Sequence, residues 1–378
     1  MKIAIATAGR FHVLDLAKEL IKQGHEVSFY SYVPRNRAIK KFGLLPAAHR
    51  NIFPFVAPLL IIQRILPKYF DSIVNRAISL ILDYYVSHNL EKCDILIAMS
   101  GIYLNALNVA KDKYGAIIFL ERGSTHILHQ MEIINTLKKK GLPVALASKY
   151  FIDRELAGYE LADKIVIPSR HVEMSFLEYK FSKDRLFKNP YGVDFSMFPA
   201  TNKSVGFRPT VIFVGLWCYR KGVDILLESI KNLQGLQFIH VGPIGDAPMP
   251  NLSNLAHIDA VSQWKLSELY SQADIFVMPS REEGLALVQL QALSSGLPLV
   301  CTDKTGGDDL REFLPDPNWI TVIPSNDSRL LTQSIKEMIT KSRKLSGARD
   351  LMGDARIRFS WSSYGKRYEE ELLKFNNI

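Results

Sequence analysis

Two short stretches gather charged side chains and glycines in a pattern suited to phosphates and hydroxyls. One runs Pro279-Ser280-Arg281-Glu282-Glu283-Gly284-Leu285-Ala286-Leu287 and on through Gln291 to Gly296-Leu297-Pro298; the other is Gly215 followed by Arg220-Lys221-Gly222. A lysine beside an arginine supplies fixed positive charge for a phosphate group. At the start of a helix such cations oppose the helix dipole, a local misfit that favours a ligand over plain solvation. Glu283 precedes a glycine and a helix expected to open at about Leu285, where unpaired backbone N–H groups face outward. Gly284 would let a ligand approach the main chain closely. Taken alone, Glu283 also fits a solvated loop carboxylate, and Glu282 reads as a neighbour of the site rather than a member of it.

The N-terminal half offers a sparser set. Leu120-Glu121-Arg122-Gly123-Ser124-Thr125-His126 follows an apolar strand, so His126 is expected to project from the strand end toward a cleft. His129 is a nearby competitor, and a structural role is the ordinary alternative for a lone histidine. Gly9, in the first turn, suits close approach of a ligand, a turn needing positive φ, or both. Asn189 and Asp194 are expected to shape a connecting loop without taking part in chemistry. The nine histidines are scattered and no Asp-x-Asp pair follows a strand, so no metal or other cofactor is expected. Cys93, Cys218 and Cys301 lack metal-ligand or redox spacing and are expected to remain free thiols.

Strand ends are needed to hold these groups, and the apolar pattern supplies them. Short apolar runs at 3–6, 27–30, 95–98, 117–120 and 165–167 are separated by helix-length segments. The first of these segments, 12–23, carries Val13, Leu16, Ala17, Leu20 and Ile21 at helical spacing and stops at Gly24. Such alternation predicts a mostly parallel sheet with helices on both faces. After the loop 189–194 and a polar stretch at 200–208 the pattern restarts, with strands expected at 210–214, 237–241, 275–278 and 299–301 and a helix from about Val223. The expected fold class is α/β: two Rossmann-like doubly wound domains, 1–200 and 201–360, facing a cleft. A terminal helix at about 361–378 is free to pack back on the first.

A length of 378 residues suits two such domains, and an apolar share of 47% with 22% charged residues excludes a disordered chain. The first residues enter a strand directly, without the pattern of a signal peptide, so a cytoplasmic protein is expected. The formal charge of +9 suggests an anionic partner. Part of it is concentrated at 33–70, which holds Arg35, Arg37, Lys40, Lys41, Arg50, Arg64 and Lys68 and no acidic residue. The apolar run 53–62 inside it is too short and too broken by proline to span a bilayer. Two arrangements fit: a peripheral contact with an anionic membrane surface, or a buried helical hairpin with solvated basic residues. No basic stripe interleaved with stacking aromatics is present, so nucleic acid is not an expected partner.

Taken in order, Gly215, Arg220-Lys221-Gly222-Val223-Asp224, Ala273-Asp274-Ile275-Phe276-Val277-Met278-Pro279-Ser280, Glu283-Gly284, Gln291-Ala292-Leu293 and Gly296-Leu297-Pro298 closely resemble the donor-binding domain of the family 4 retaining glycosyltransferases, which have the two-Rossmann GT-B fold. The likeness extends to the N-terminal half through Gly24-His25-Glu26-Val27, Ala162-Asp163-Lys164-Ile165-Val166, Ser169 and Gly192-Val193-Asp194. The resemblance implies metal-independent, retaining transfer of a sugar from a UDP-, GDP- or ADP-sugar to a hydroxyl of a glycan or lipid-linked glycan, in cell-surface polysaccharide or glycolipid synthesis. It implies Lys221 and Arg220 on the donor diphosphate, Glu283 on the donor-sugar hydroxyls, and His126 near the anomeric carbon and the acceptor. Gly9, Gly215, Gly284, Leu285, Ala286, Leu287 and Gln291 would surround the donor.

The chain departs from that pattern at three positions. Gln291 stands where a second glutamate usually contacts the ribose, Leu216 where an arginine commonly follows the glycine, and Ala286 where a second glycine is common. An amide accepts one bond and donates another, with less charge assistance than a carboxylate; Arg220 is expected to take the missing arginine's part. A nucleotide-sugar epimerase or glycoside phosphorylase on the same fold, or a binding protein without turnover, are the alternative readings.

Overall fold

Every strand runs parallel to its sheet neighbours, and the computed structural model describes residues 1–67, 70–201, 208–345 and 349–375. Strands β1 (Lys2–Ala6), β2 (Glu26–Ser31), β3 (His49–Asn51), β4 (Ile95–Met99), β5 (Ile117–Glu121), β6 (Lys164–Ile167) and β7 (Leu186–Lys188) form one sheet in the order β3-β2-β1-β4-β5-β6-β7. Strands β8 (Thr210–Val214), β9 (Gln237–Val241), β10 (Leu255–Ile258), β11 (Ile275–Met278), β12 (Leu299–Thr302) and β13 (Ile320–Ile323) form the second, ordered β10-β9-β8-β11-β12-β13. The central strands are continuous apolar runs because helices cover both faces: all of β11 and β12 is buried, as are Ile3, Ile5, Ile95 and Ile97.

The α/β class and the paired Rossmann-like sheets are as the sequence predicts. Four strands, β3, β7, β10 and β13, were not anticipated; all lie at or next to a sheet edge, and His49-Arg50-Asn51 has no apolar run to betray it. In each sheet the strand order reverses between the two central strands, β1 and β4 or β8 and β11. Successive loops diverge there and leave a crevice at the carboxyl ends. The turn after β1 and the loops after β8 and β11 therefore occupy the two places where this fold opens.

The basic segment folds as β3 followed by a helical hairpin, Phe53–Ile65 and Asp71–Asn89. Pro54 sits in the first turn and Pro58 inside the first helix, whose Phe55 ring lies 5.1 Å from that of Tyr85. The hairpin is not buried: Val56 faces inward, whereas Phe55, Ile61 and Ile65 are 56%, 60% and 76% exposed. The first helix is apolar nearly all round, and among the described residues none covers its outer side. Lys68 lies outside the described residues, and among those no helix is long and apolar enough to cross a membrane.

Helix Trp361–Leu373 leaves the second sheet and packs on helix Val13–Lys22 of the first. Gly365 permits the contact, since a Cβ there would lie 2.5 Å from the Cβ of Glu19. The Tyr368 hydroxyl donates to the buried Glu121 carboxylate at 2.9 Å, and Arg367 donates to Asn189 at 2.7 Å and to the Pro190 carbonyl. Residues 376–378 lie outside the described residues. Tyr368→Phe would leave Glu121 buried with one donor fewer. It is expected to lower the unfolding free energy by about 1–3 kcal/mol, read from denaturant melts.

Candidate functional site

The loop after β8 is built to lie against the loop after β11. Tyr219–Lys221 makes a single helical turn that ends at Gly222, which has φ of +70°, and a Cβ at Gly222 would fall 2.0 Å from the Pro279 carbonyl oxygen. Only glycine satisfies both conditions. The two loops are then bonded together, with the Arg281 amide donating to the Arg220 carbonyl at 2.9 Å. The Arg281 guanidinium grips Asp224 through two bonds of 2.6 and 2.7 Å and donates to Asn326 at 2.6 Å. Asp224 lies in the first turn of helix Val223–Asn232, where a carboxylate suits the dipole.

This frame brings Arg220, Lys221, Glu282 and Glu283 together. The buried Lys221 ammonium pairs with the Glu283 carboxylate. Burial and the adjacent Arg220 lower Lys221 from its ordinary value to about 7. Arg220 Nη1 donates to Glu282 Oε2 at 2.8 Å and to the Glu282 carbonyl at 3.1 Å. Its other guanidinium nitrogens have no partner among the described residues. Glu282 is fully buried. Burial alone would raise its pKa, but the Arg220 charge, the bonds from Ser124 and Thr125 and the nearby Arg122 outweigh that and hold it at about 2.

Glu282 is the residue that the sequence reading set aside, and it crosses between the halves. Its Oε1 accepts from Ser124 Oγ at 2.6 Å, Thr125 N at 3.1 Å and Thr125 Oγ1 at 3.1 Å, and its Oε2 from Gln130 Nε2 at 3.0 Å. Gly284 lies in the same seam. A Cβ there would meet the Gly123 carbonyl oxygen at 2.0 Å, and the Gly284 carbonyl accepts from Ser169 Oγ at 2.9 Å. What approaches the main chain at Gly284 is thus the other half of the protein rather than open space. The helix opens at Leu287, two residues later than expected, because Ala286 is extended at φ −71°, ψ 121° and serves as its N-cap.

A cavity of about 670 Å³ lies between the halves, lined by Arg10, Phe11 and His12 from the turn after β1 and by Gln263, Trp264, Leu287 and Gln291 from the second half. Arg10 crosses it to donate to Gln263 at 3.0 Å. Phe11 holds a positive φ of 34°, a conformation disfavoured for an aromatic residue. Gln291 is buried, and its Oε1 has no hydrogen-bond partner among the described residues. Leu285 and Ala286 are buried, and Leu216 is 38% exposed. Gly215 accepts through its carbonyl from His240 at 2.9 Å. Gly9 needs no positive φ, and a Cβ there would make only ordinary contact with the Phe11 ring at 3.6 Å. The positive φ of this turn thus falls at Phe11 and not at Gly9.

His126 does not project into this cavity. It is buried, its Nδ1 accepts from the Leu128 amide at 3.3 Å to cap helix Ile127–Lys139, and its ring stacks on Tyr179 at 4.4 Å with Phe176 and Tyr159 alongside. Burial, with Arg122 nearby, lowers its pKa to about 4, so the ring is neutral near pH 7. The strand ends where the sequence predicts, but the next turn carries the side chain back onto its own half. The histidine that reaches the cavity is His12, whose Nε2 lies 2.9 Å from Glu121 Oε2 and whose ring packs on Tyr191. The signal for it was a charged residue, Glu121, ending an apolar strand. Among the described residues no three His, Cys, Asp or Glu side chains are placed to hold a metal ion. The three cysteines are free and buried.

The family model described as glycosyl transferases group 1 matches residues 208–341, which take in the loops after β8 and β11. Over 173 residues the chain is 28% identical to a glycogen synthase of Thermodesulfovibrio yellowstonii, covering 43% of this chain and 34% of that one. Over 241 residues it is 25% identical to a GDP-mannose-dependent alpha-(1-6)-phosphatidylinositol monomannoside mannosyltransferase of Mycolicibacterium smegmatis, covering 56% and 62%. The chain thus spans less than two thirds of the length of either relative. An Anabaena protein solved in complex with UDP-glucose shares the fold, with a TM-score of 0.67 at 12% identity over 99% of this chain and 100% of that one. Residues 208–341 thus match the glycosyl transferases group 1 model, on a chain with the two-sheet GT-B fold and with named glycosyltransferases among its relatives.

Proposed function

We propose that the protein is a retaining glycosyltransferase that needs no metal and moves a sugar from a nucleotide-diphosphate sugar to a hydroxyl of a glycan or lipid-linked glycan. The observation that carries this reading is the pairing of buried Lys221 with Glu283 beside Arg220, at the carboxyl ends of β8 and β11. The pair keeps two complementary groups ready for a donor. A diphosphate placed on Lys221 and Arg220 would displace the Glu283 carboxylate, which is then free to accept from the vicinal hydroxyls of the sugar. The negative charge that grows on the departing nucleotide meets two cations, of which Lys221 is buried. The uncapped N-terminus of helix Leu287–Ser294 adds donors on the same side. Gln291 would offer its unpartnered oxygen to a ribose hydroxyl. The Anabaena protein's complex with UDP-glucose supports a nucleotide sugar as the donor class.

Acceptor binding falls to the first half, and a donor phosphate oxygen would take the acceptor proton, as the resemblance implies for retaining enzymes of this fold. The exposed apolar face of helix Phe53–Ile65, with Arg64 at its end, suits peripheral contact with the anionic cytoplasmic leaflet, where a lipid-linked acceptor is held.

Glu283→Gln is expected to reduce kcat/KM by on the order of a hundredfold, read as nucleoside diphosphate released from whichever UDP-, GDP- or ADP-sugar raises the melting temperature. An isomerised donor, or turnover that requires inorganic phosphate, would reject transfer. Donor affinity should also depend on pH. Free Lys221 loses its proton near pH 7 and a diphosphate favours the ammonium, so binding above that pH must take up a proton. Calorimetry with an intact nucleotide sugar should show affinity falling as pH rises from 7 to 8.5, and Lys221→Arg should flatten that dependence. Finally, Ile61→Asp combined with Ile65→Asp should cut co-sedimentation with vesicles containing anionic lipid by about tenfold while the melting temperature holds, since both side chains are exposed. Unchanged co-sedimentation would remove the membrane from the proposal.

A further inference from the structure

Of the charged residues in the loops after β8 and β11, Glu282 is the one whose bonds are mostly to the other half of the protein. Its five hydrogen bonds to side chains and amides divide unequally: Ser124, the Thr125 amide, the Thr125 hydroxyl and Gln130 belong to the first half, and only Arg220 to its own. The carboxylate is wholly withdrawn from water, so each bond compensates desolvation that would otherwise be costly. The docking is close because glycines meet across it, with Gly284 facing the Gly123 carbonyl. Gln130 also donates to Ser124 Oγ at 3.1 Å and accepts from Arg122 at 3.2 Å, so the receiving loop is itself held in place.

The consequence falls on Arg220. A carboxylate alone with an arginine neutralises it and competes with any phosphate for its N–H groups. In the closed protein four donors from the first half share the Glu282 charge. The carboxylate then engages only Nη1 of Arg220, leaving Nε and Nη2 without partners among the described residues. The Arg220 side chain remains 28% exposed, so those nitrogens can be reached.

We propose that Glu282 is a positioning residue that makes the availability of Arg220 conditional on contact between the two halves. Apart, the carboxylate loses its four partners in the first half and occupies Arg220; together, it is drawn into the Ser124–Thr125–Gln130 pocket and fixes the guanidinium beside Lys221 with two nitrogens free. The donor-side cation is thereby completed by closure, which also excludes water. This inference rests on the reading of Arg220 and Lys221 as the diphosphate-binding cations.

The test compares full-length wild type with Glu282→Ala, Glu282→Gln and the pair Ser124→Ala with Thr125→Val, which spares the carboxylate. Small-angle scattering without ligand reads the separation of the halves, and released nucleoside diphosphate reads turnover. Glu282→Ala and the Ser124/Thr125 pair are expected to raise the radius of gyration by about 1 Å or more. Both should lower kcat by about tenfold or more, with the donor KM changing less than about threefold. Glu282→Gln, which keeps the shape and can still accept from Ser124 and Thr125, should recover part of the turnover. If Glu282→Ala does not fold, the Ser124/Thr125 pair decides the matter. Wild-type scattering with wild-type kcat in that pair overturns the proposal, as does a loss of turnover that only follows the loss of folded protein. If the variants open but no nucleotide sugar binds the wild type, the functional reading fails and the positioning role with it, while the link between the halves stands.

Discussion

A carboxylate moved out of water must find its full set of donors or take up a proton, and the seam between the two sheets is arranged around one that has found them. Glu282 stays ionised at the bottom of that seam because Arg220 and the Ser124–Thr125–Gln130 group surround it. Donors this directional cannot be shared by halves that sit loosely against each other. The glycine pair Gly123 and Gly284 follows from the same requirement, because any side chain at Gly284 would hold the two backbones apart. So does the second charged contact farther along the seam, where Asp309 accepts from the Arg170 amide at 2.9 Å and pairs with Lys188.

Around this seam the charges of the second half are sorted by partner. Arg281, next to the two glutamates in sequence, turns inward to Asp224 and Asn326 and stiffens the loop. Lys221 and Glu283 pair with each other at the site itself. Two adjacent glutamates thus take different partners, one mostly in the first half and the other on Lys221 of its own half. The lowered value at Lys221 follows from its burial and from the adjacent Arg220 charge. The cavity bordered by His12, Gln263 and Gln291 lies on the β10 side of the second sheet. Arg220, Lys221 and Glu283 are not among the described residues that line it.

The helical hairpin shows the opposite economy of surface. Helix Phe53–Ile65 has one face on the first sheet's flank and leaves several large apolar side chains in solvent, with Arg64 close by. Apolar exposure on this scale beside basic residues is unusual for a surface that meets only water.

The sequence by itself determined the two parallel sheets, the restart near residue 200 and the cluster Arg220, Lys221 and Glu283, because each is written in local pattern: apolar runs, glycines where the chain must turn or touch, and charges of fixed spacing. It did not determine which of two neighbouring glutamates would be buried, since the partners of Glu282 at Thr125 lie 157 residues away. Nor did it place His126, whose strand end is legible but whose side-chain direction is set by the rings of Tyr159, Phe176 and Tyr179 gathered from other helices. Edge strands such as β3 were hidden because their pairing comes from a neighbour and not from their own composition. Local order follows from adjacent residues, whereas hydrogen-bond partners and burial follow from what the closed fold brings within a few ångströms, and only the tertiary structure decides that.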